Sequence, residues 1–176
     1  MTLFTTKGDD GMTSVFSGSR ISKTSLHIEC LGSLDELNSY LGVCKAYTSN
    51  RGMRRIVESL QETLFIIQAE VAGAEKKIDP KKVNEIEDIC KALERRMQPI
   101  SSFLIPGATC LSAHFDVART LARRAERNIC SLKEEQNDLI GAGTVAYLNR
   151  LSSVLYGLAR YSAQRNGKRE NAPTYE

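Results

Sequence analysis

Apolar residues recur at helical spacing through most of this chain, and only four prolines, Pro80, Pro99, Pro106 and Pro173, interrupt them. A stripe with a 3.6-residue period must be buried against another surface, so a chain dominated by such stripes folds as packed helices. Leu34, Leu37, Leu41 and Cys44 mark a first helix, with Ser33 and Glu36 spaced as a capping box at its start. Ile56, Leu60, Leu64, Ile67 and Val71 mark a second. Asp79 and Pro80 fit the N-cap and first position of a third helix carrying Val83, Ile86, Cys90, Leu93 and Met97. Gln98-Pro99 ends it, because the residue before proline is pushed out of the helical region.

A fourth helix is predicted from about Thr109 to about Leu132. With Leu111 as zero, Phe115, Ala118, Ala122, Ala125 and Ile129 fall within about 40° of it. A fifth, from Asp138 to Gln164, repeats the pattern through Leu148, Leu151, Leu155 and Ala159. Short connections between long helices favour antiparallel neighbours, so the expected fold is an all-α, five-helix antiparallel bundle. One domain spans 1–176, with the bundle over 31–166. Gly8, Gly11 and Gly18 break helix, so residues 1–30 are expected to be loop with at most a short extended piece. The polar tail, 167–176, is expected to fray.

Composition removes several classes of function. The chain has 176 residues, 24 Lys and Arg against 21 Asp and Glu, and 41% hydrophobic residues, which suits one globular core. A net charge of +3 is too small to point to nucleic acid or an anionic membrane, and 11 aromatics argue against an RNA-binding bundle. The polar start MTLFTTKGDDG is unlike a signal peptide and no apolar run is long enough to span a bilayer, so cytosol is the expected address. Five cysteines, an odd number without a CxxC pair, and two histidines give no zinc-like spacing. They read as small apolar side chains in a reducing compartment, with no protein-bound metal.

Four segments can carry chemistry. In Thr5-Thr6-Lys7-Gly8-Asp9-Asp10-Gly11-Met12-Thr13-Ser14, glycines let backbone amides approach a phosphate and hydroxyls can join them, although the same residues also suit a plain surface loop. In the fourth helix Glu126, Arg119 and Arg123 lie about 60°, 80° and 120° from the core centre, while Arg124 and Arg127 lie further toward solvent. Planar guanidinium groups bind polyphosphate oxygens bidentately, and an ion-paired face served by Glu126 is the competing reading. Asn149, in Tyr147-Leu-Asn149-Arg150-Leu-Ser152, sits at the edge of a core stripe, where its amide can meet a ligand or another helix. Asp35 suits a helix N-terminus or an arginine partner. Phe103, in Phe103-Leu-Ile-Pro106-Gly107, is either a core anchor or a surface for a flat apolar ligand.

In order along the chain these segments resemble the PduO-type ATP:corrinoid adenosyltransferases. The family's TKxGDxG, G-x-x-DEL, FILPGG, RRAER and FLNRLSD patterns read here as TTKGDDG, Gly32-Ser-Leu-Asp35-Glu36-Leu37, FLIPGA, Arg123-Arg124-Ala125-Glu126-Arg127 and Tyr147-Leu148-Asn149-Arg150-Leu151-Ser152-Ser153. The resemblance implies a homotrimer with active sites between subunits. It implies transfer of the 5′-deoxyadenosyl group from ATP to cobalt of reduced cobalamin, with Mg²⁺ assisting the polyphosphate. Thr5, Thr6, Lys7, Gly8, Thr13, Ser14 and Lys23 would bind ATP from one subunit. Arg123, Arg124, Glu126, Arg127 and Asn149 would complete the site from its neighbour. Asp35 would pair with Arg119 across the interface, and Phe103 would crowd the lower face of cobalt. A reductase and an adenosylcobalamin-dependent enzyme are the implied protein partners.

Cob(I)alamin is itself a strong nucleophile, so this chemistry requires positioning and positive charge rather than a catalytic triad. Departures from the family patterns are Thr6 and Asp10 where lysines are usual, Ala108 for glycine, and Ser153 for aspartate. The alternative from another class is a non-catalytic bundle whose arginine face binds an acidic partner. Adenosylation activity separates the two.

Overall fold

The computed structural model describes residues 3–16, 18–99 and 101–175. Five long helices are present: α1 (Leu26–Tyr47), α2 (Arg51–Val71), α3 (Pro80–Glu94), α4 (Cys110–Glu135) and α5 (Ala142–Arg165). The N-caps follow local chemistry. Asn50 accepts from the Met53 amide, Asp79 from Lys81, and Thr109 from Ser112 in a capping box whose Ser112 hydroxyl answers the Thr109 amide. The prolyl start of α3 and the start of α4 agree with the sequence reading.

The first helix begins well before the expected capping box. Its N-cap is Ser25, whose hydroxyl accepts from the Ile28 amide. Cys30 already lies on the buried stripe with Leu34, Leu37, Leu41 and Cys44, so burial carries the helix through Gly32. Ser33 is consequently a buried interior residue that donates to the Cys30 carbonyl, and Glu36 turns outward to Arg124. At the other ends the differences are smaller. The third helix stops at Glu94 rather than running to Met97, and the fifth starts at Ala142 rather than Asp138.

Contacts between α1 and α2, α1 and α4, α4 and α5, and α2 and α5 close a ring of four helices, and α3 packs on the outer side of α5. Tyr40 meets His114 while Glu36 meets Arg124, so α1 and α4 run antiparallel. Asp116 meets Arg160 while Glu126 meets Asn149, and the same holds for α4 and α5. Glu87 meets Arg150 while Leu93 faces Gly157, so α3 and α5, two apart in an alternating bundle, run parallel. An added Cβ at Gly157 would lie 3.0 Å from Leu93 Cδ1, which shows how closely these two helices approach.

The core gathers the predicted stripes, including Phe115, Ala118, Ala122, Ala125 and Ile129 of α4, all fully buried. Cys30 and Cys44 behave as small apolar side chains, and burial pushes both thiols up to about 12. Cys110 is instead exposed. Glu70, at the end of α2, is a buried carboxylate that accepts from the Gly141 amide, Thr144 Oγ1 and Lys77 Nζ. It thereby supplies the cap that Gly141 lacks and fixes where α5 starts.

Before α1 lie a short 3₁₀ turn (Thr6–Gly8) and a small hairpin of β1 (Met12–Ser14) and β2 (Arg20–Ser22), with Thr13 opposite Ile21. This piece touches the bundle through the Phe16 amide, which donates to the Ala72 carbonyl. Leu3, Phe4 and Phe16 stand exposed on it. The tail expected to fray makes two contacts with the rest of the chain. The Ile105 amide donates to Asn171 O at 2.8 Å, and the Glu170 side chain is buried beside Arg160.

Candidate functional site

The middle of α4 presents the arginines. Its alanines sink into the core, which leaves Arg119 half-buried on the flank and Arg123 exposed one turn on. Together they line a cavity of about 420 Å³ with Ser152, Ser153, Tyr156 and Gly157 of α5 and Leu93 and Glu94 of α3, the last of which is not within ion-pair distance of either arginine. Arg119 Nε is buried without a hydrogen-bond partner, and neither Arg119 nor Arg123 is ion-paired among the described residues. Guanidinium groups left without carboxylates inside one copy of the chain can take an anionic ligand or an acid from another copy.

The competing ion-paired reading holds for only part of the cluster. Arg124 is ion-paired to Glu36 on α1 and is half-buried rather than pointing freely to solvent. Arg127 Nη1 donates to the Arg123 carbonyl at 3.0 Å. Glu126 accepts from Asn149 Nδ2 at 2.9 Å, tying α4 to α5, so it does not serve the arginines.

A second cavity, of about 790 Å³, adjoins the first and shares Arg119 and Tyr156 with it. Phe103, Leu104, Pro106, Pro173 and Tyr175 give it apolar walls, and Asp116 and Arg160 lie at its base. Phe103 is 81% exposed, so the core-anchor reading is wrong. Its turn lies outside the helices, where the ring faces open space rather than the bundle interior.

Beneath this cavity sits an ion cluster. Arg160 Nη2 donates to Asp116 Oδ2 at 2.7 Å, and the Arg160 guanidinium lies over the Tyr156 ring at 4.9 Å. Glu170 Oε1 lies 2.7 Å from Arg160 Nε but off the N–H axis, so that contact is charge attraction rather than a hydrogen bond. Burial holds the Glu170 carboxyl above the usual carboxylate range; Arg160 pulls it down and Asp116 pushes it up. Sequence periodicity does not reveal this cluster. The available signal was an arginine set among Leu158, Ala159, Ser162 and Ala163, on a helix buried nearly all round, where a charge demands a buried partner.

The N-terminal loop is braced from within. Lys23 Nζ donates to the Gly8 carbonyl at 2.6 Å, and Arg20 Nη2 donates to the Lys7 carbonyl at 3.0 Å and to Asp10 at 2.7 Å. Asp10 also accepts from the Met12 amide, and that bond, with Arg20, holds its carboxyl below the usual range. Thr5, Thr6, Lys7 and Ser14 are exposed, and Gly8 and Thr13 half-buried. Arg20 and Asp10, which the sequence reading left without a role, thus set the shape of this loop.

Within one copy these groups do not converge. The hairpin is tied to the end of α2, and Asp35 lines a shallow pocket with Ile28, Leu31, Phe65 and Gln68 of α1 and α2. Arg119 and Arg123 open between α3, α4 and α5, so Asp35 and Arg119 line different pockets. Among the described residues, no three His, Cys, Asp or Glu side chains are grouped to hold a metal.

Residues 3–162 match the family described as Cobalamin adenosyltransferase. The chain is 39% identical over 167 residues to Corrinoid adenosyltransferase PduO of Salmonella typhimurium, covering 91% of this chain and 49% of that protein. It is 36% identical to a corrinoid adenosyltransferase of Citrobacter freundii, covering 90% of this chain and 93% of the other. It therefore spans about half the length of the PduO proteins that it matches, and nearly all of the shorter relative. Among solved structures, a phenylalanine-to-alanine variant of the PduO-type ATP:corrinoid adenosyltransferase from Lactobacillus reuteri, complexed with cobalamin and ATP, superposes with a TM-score of 0.93. That match is at 25% identity and covers 98% of this chain and 99% of that one.

Proposed function

The chain belongs to the cobalamin adenosyltransferase family, and on that footing we propose that it transfers the 5′-deoxyadenosyl group of ATP to the cobalt of reduced cobalamin. The observation that carries the reading is the pair of adjoining cavities. One holds arginines without carboxylate partners; the other is apolar, roomy and faced by an exposed phenylalanine. The first suits a triphosphate and the second suits the face of a corrin ring.

In the reaction the cobalt(I) electron pair attacks C5′ of ATP, the Co–C bond forms, and the C5′–O bond breaks as triphosphate leaves with its electrons. Arg123, which lines the first cavity, and Arg127, one turn further along α4, balance charge on the departing triphosphate, and Arg119 lines both cavities at the point where the two ligands meet. Glu126 accepts from the Asn149 amide nitrogen and Arg150 Nη1 donates to its amide oxygen at 3.3 Å, so the two contacts fix the side chain at the edge of the nucleotide site. Phe103 covers the lower face of cobalt and disfavours a lower ligand.

The nucleotide site is assembled between copies in this reading. Thr5 to Gly8, Thr13, Ser14 and Lys23 come from one copy, and Arg123, Arg124, Glu126, Arg127 and Asn149 from the next. Asp35 meets Arg119 across the same interface, in a homotrimer. Support comes from the separation of these groups within one copy and from Leu3, Phe4 and Phe16, apolar side chains that the bundle leaves uncovered. Magnesium enters with the phosphates of ATP, and no step is assigned to it. A reducing cytosol suits five free cysteines.

The test is optical. Protein mixed with ATP, Mg²⁺ and chemically reduced cobalamin should generate the adenosylcobalamin spectrum. An unchanged cob(I)alamin spectrum with well-folded protein would overturn the proposal and favour a binding module.

A further inference from the structure

The wall of the larger cavity on the side of residues 172–175 belongs to no helix. It consists of Ala172, Pro173 and Tyr175, a polar-flanked segment without secondary structure of its own. Such a segment stays in place only if something offsets its conformational entropy. Two contacts are available: the Ile105 amide donating to Asn171 O, and the Glu170 carboxylate buried against Arg160. Arg160 is 1% exposed and already neutralised by Asp116, so Glu170 is not required to balance a core charge. Its place in the fold is explained by what it brings with it.

We infer that Glu170 is a positioning residue for the corrinoid cavity: docked beside Arg160, it holds residues 171–175 as the wall facing Phe103. Arg160 and Asp116 act through it. Asp116 fixes the guanidinium, Tyr156 supports the guanidinium face, and Glu170 seats against the remaining edge. Tyr175 ends the wall, its side chain largely exposed and its backbone in the left-handed region at φ 58. The inference rests on the adenosyltransferase reading for the identity of the ligand. The anchoring itself is a property of this chain alone.

The release variant is Glu170→Lys, which sets a cation against Arg160. Glu170→Ala is its partner, removing the contact without adding charge, and Glu170→Gln keeps the shape. Residue 170 lies beyond α5, so all three variants should keep the five-helix bundle folded. Exchange of the Ile105 amide reads docking directly, because that hydrogen bonds to Asn171 O. Cob(II)alamin titrated in the presence of ATP reads the cavity, and calorimetry with ATP alone reads the nucleotide site.

In Glu170→Lys the Ile105 amide should exchange faster and cob(II)alamin should bind roughly tenfold more weakly, with ATP affinity unchanged. Glu170→Gln, which keeps the shape but not the charge, should fall between Glu170→Lys and the unaltered protein in both. An Ile105 amide as protected in Glu170→Lys as in the unaltered protein would overturn the anchor. Faster exchange with unchanged cob(II)alamin affinity would overturn the wall, and so would an equal loss of ATP affinity. If the unaltered protein binds no cob(II)alamin, the adenosyltransferase reading fails first, and the exchange result still decides the anchor.

Discussion

Phe103→Ala separates a corrin-facing ring from a core ring by magnitude. A phenylalanine side chain buries on the order of 200 Å² when fully enclosed. Phe103 is 81% exposed, so only about a fifth of that, roughly 40 Å², is lost to the bundle, worth about 1 kcal/mol at about 25 cal/mol per Å². Phe115, which is fully buried, is the internal control, and its truncation should cost about 3–5 kcal/mol. For a chain of this size 1 kcal/mol moves the melting temperature by about 2–4 °C, so the two variants separate cleanly in a thermal scan. Turnover should report the opposite ranking. Phe103→Ala should bind ATP normally yet fail to adenosylate from the cob(II) state, because the lower ligand is no longer displaced. Pre-formed cob(I)alamin, which lacks that ligand, should restore part of the rate. A Phe103→Ala protein that melts as early as Phe115→Ala, or that adenosylates normally from cob(II)alamin, would refute the reasoning.

Three further outcomes are expected. Arg123→Ala should weaken ATP binding by about 1.5–3 kcal/mol, the worth of a charge-assisted contact, and unchanged affinity in calorimetry would remove Arg123 from the site. Sedimentation should give a trimer, whereas a monomer at working concentration would leave the arginines and the N-terminal loop on separate molecules. Burial raises the Glu170 pKa in the fold against the pull of Arg160, so its contribution to stability is most favourable below the ordinary carboxylate range. That contribution is lost as pH rises through the folded pKa. Stability relative to Glu170→Gln should therefore fall with rising pH across that window, and a flat difference between the two chemical-denaturation series would show that Glu170 is not held in this way.

Helices α2 to α5 and the buried faces of α4 and α5 were legible in the sequence, because periodicity and capping are local properties that neighbouring residues impose on one another. Asp79-Pro80 and Thr109 announced two helix starts for the same reason. The family, too, followed from short motifs met in order. The placement of the chemistry was decided elsewhere. Ser33 and Glu36 have the spacing of a capping box, yet Cys30 extends the stripe below them and tertiary burial outweighs a local hydrogen bond. Phe103 and Phe115 are the same residue type, but only the packing of α4 against its neighbours puts one inside and leaves the other facing a cavity. Arg160, Asp116 and Glu170 are separated by 44 and by ten positions in the chain, and no period links them. Their meeting is a consequence of the antiparallel crossing of α4 and α5 and of a tail that returns over the end of the bundle. A buried charge can be recognised as costly from its apolar neighbours, but its partners are chosen by the fold, since only tertiary structure brings distant carboxylates within reach of a guanidinium that has lost its water.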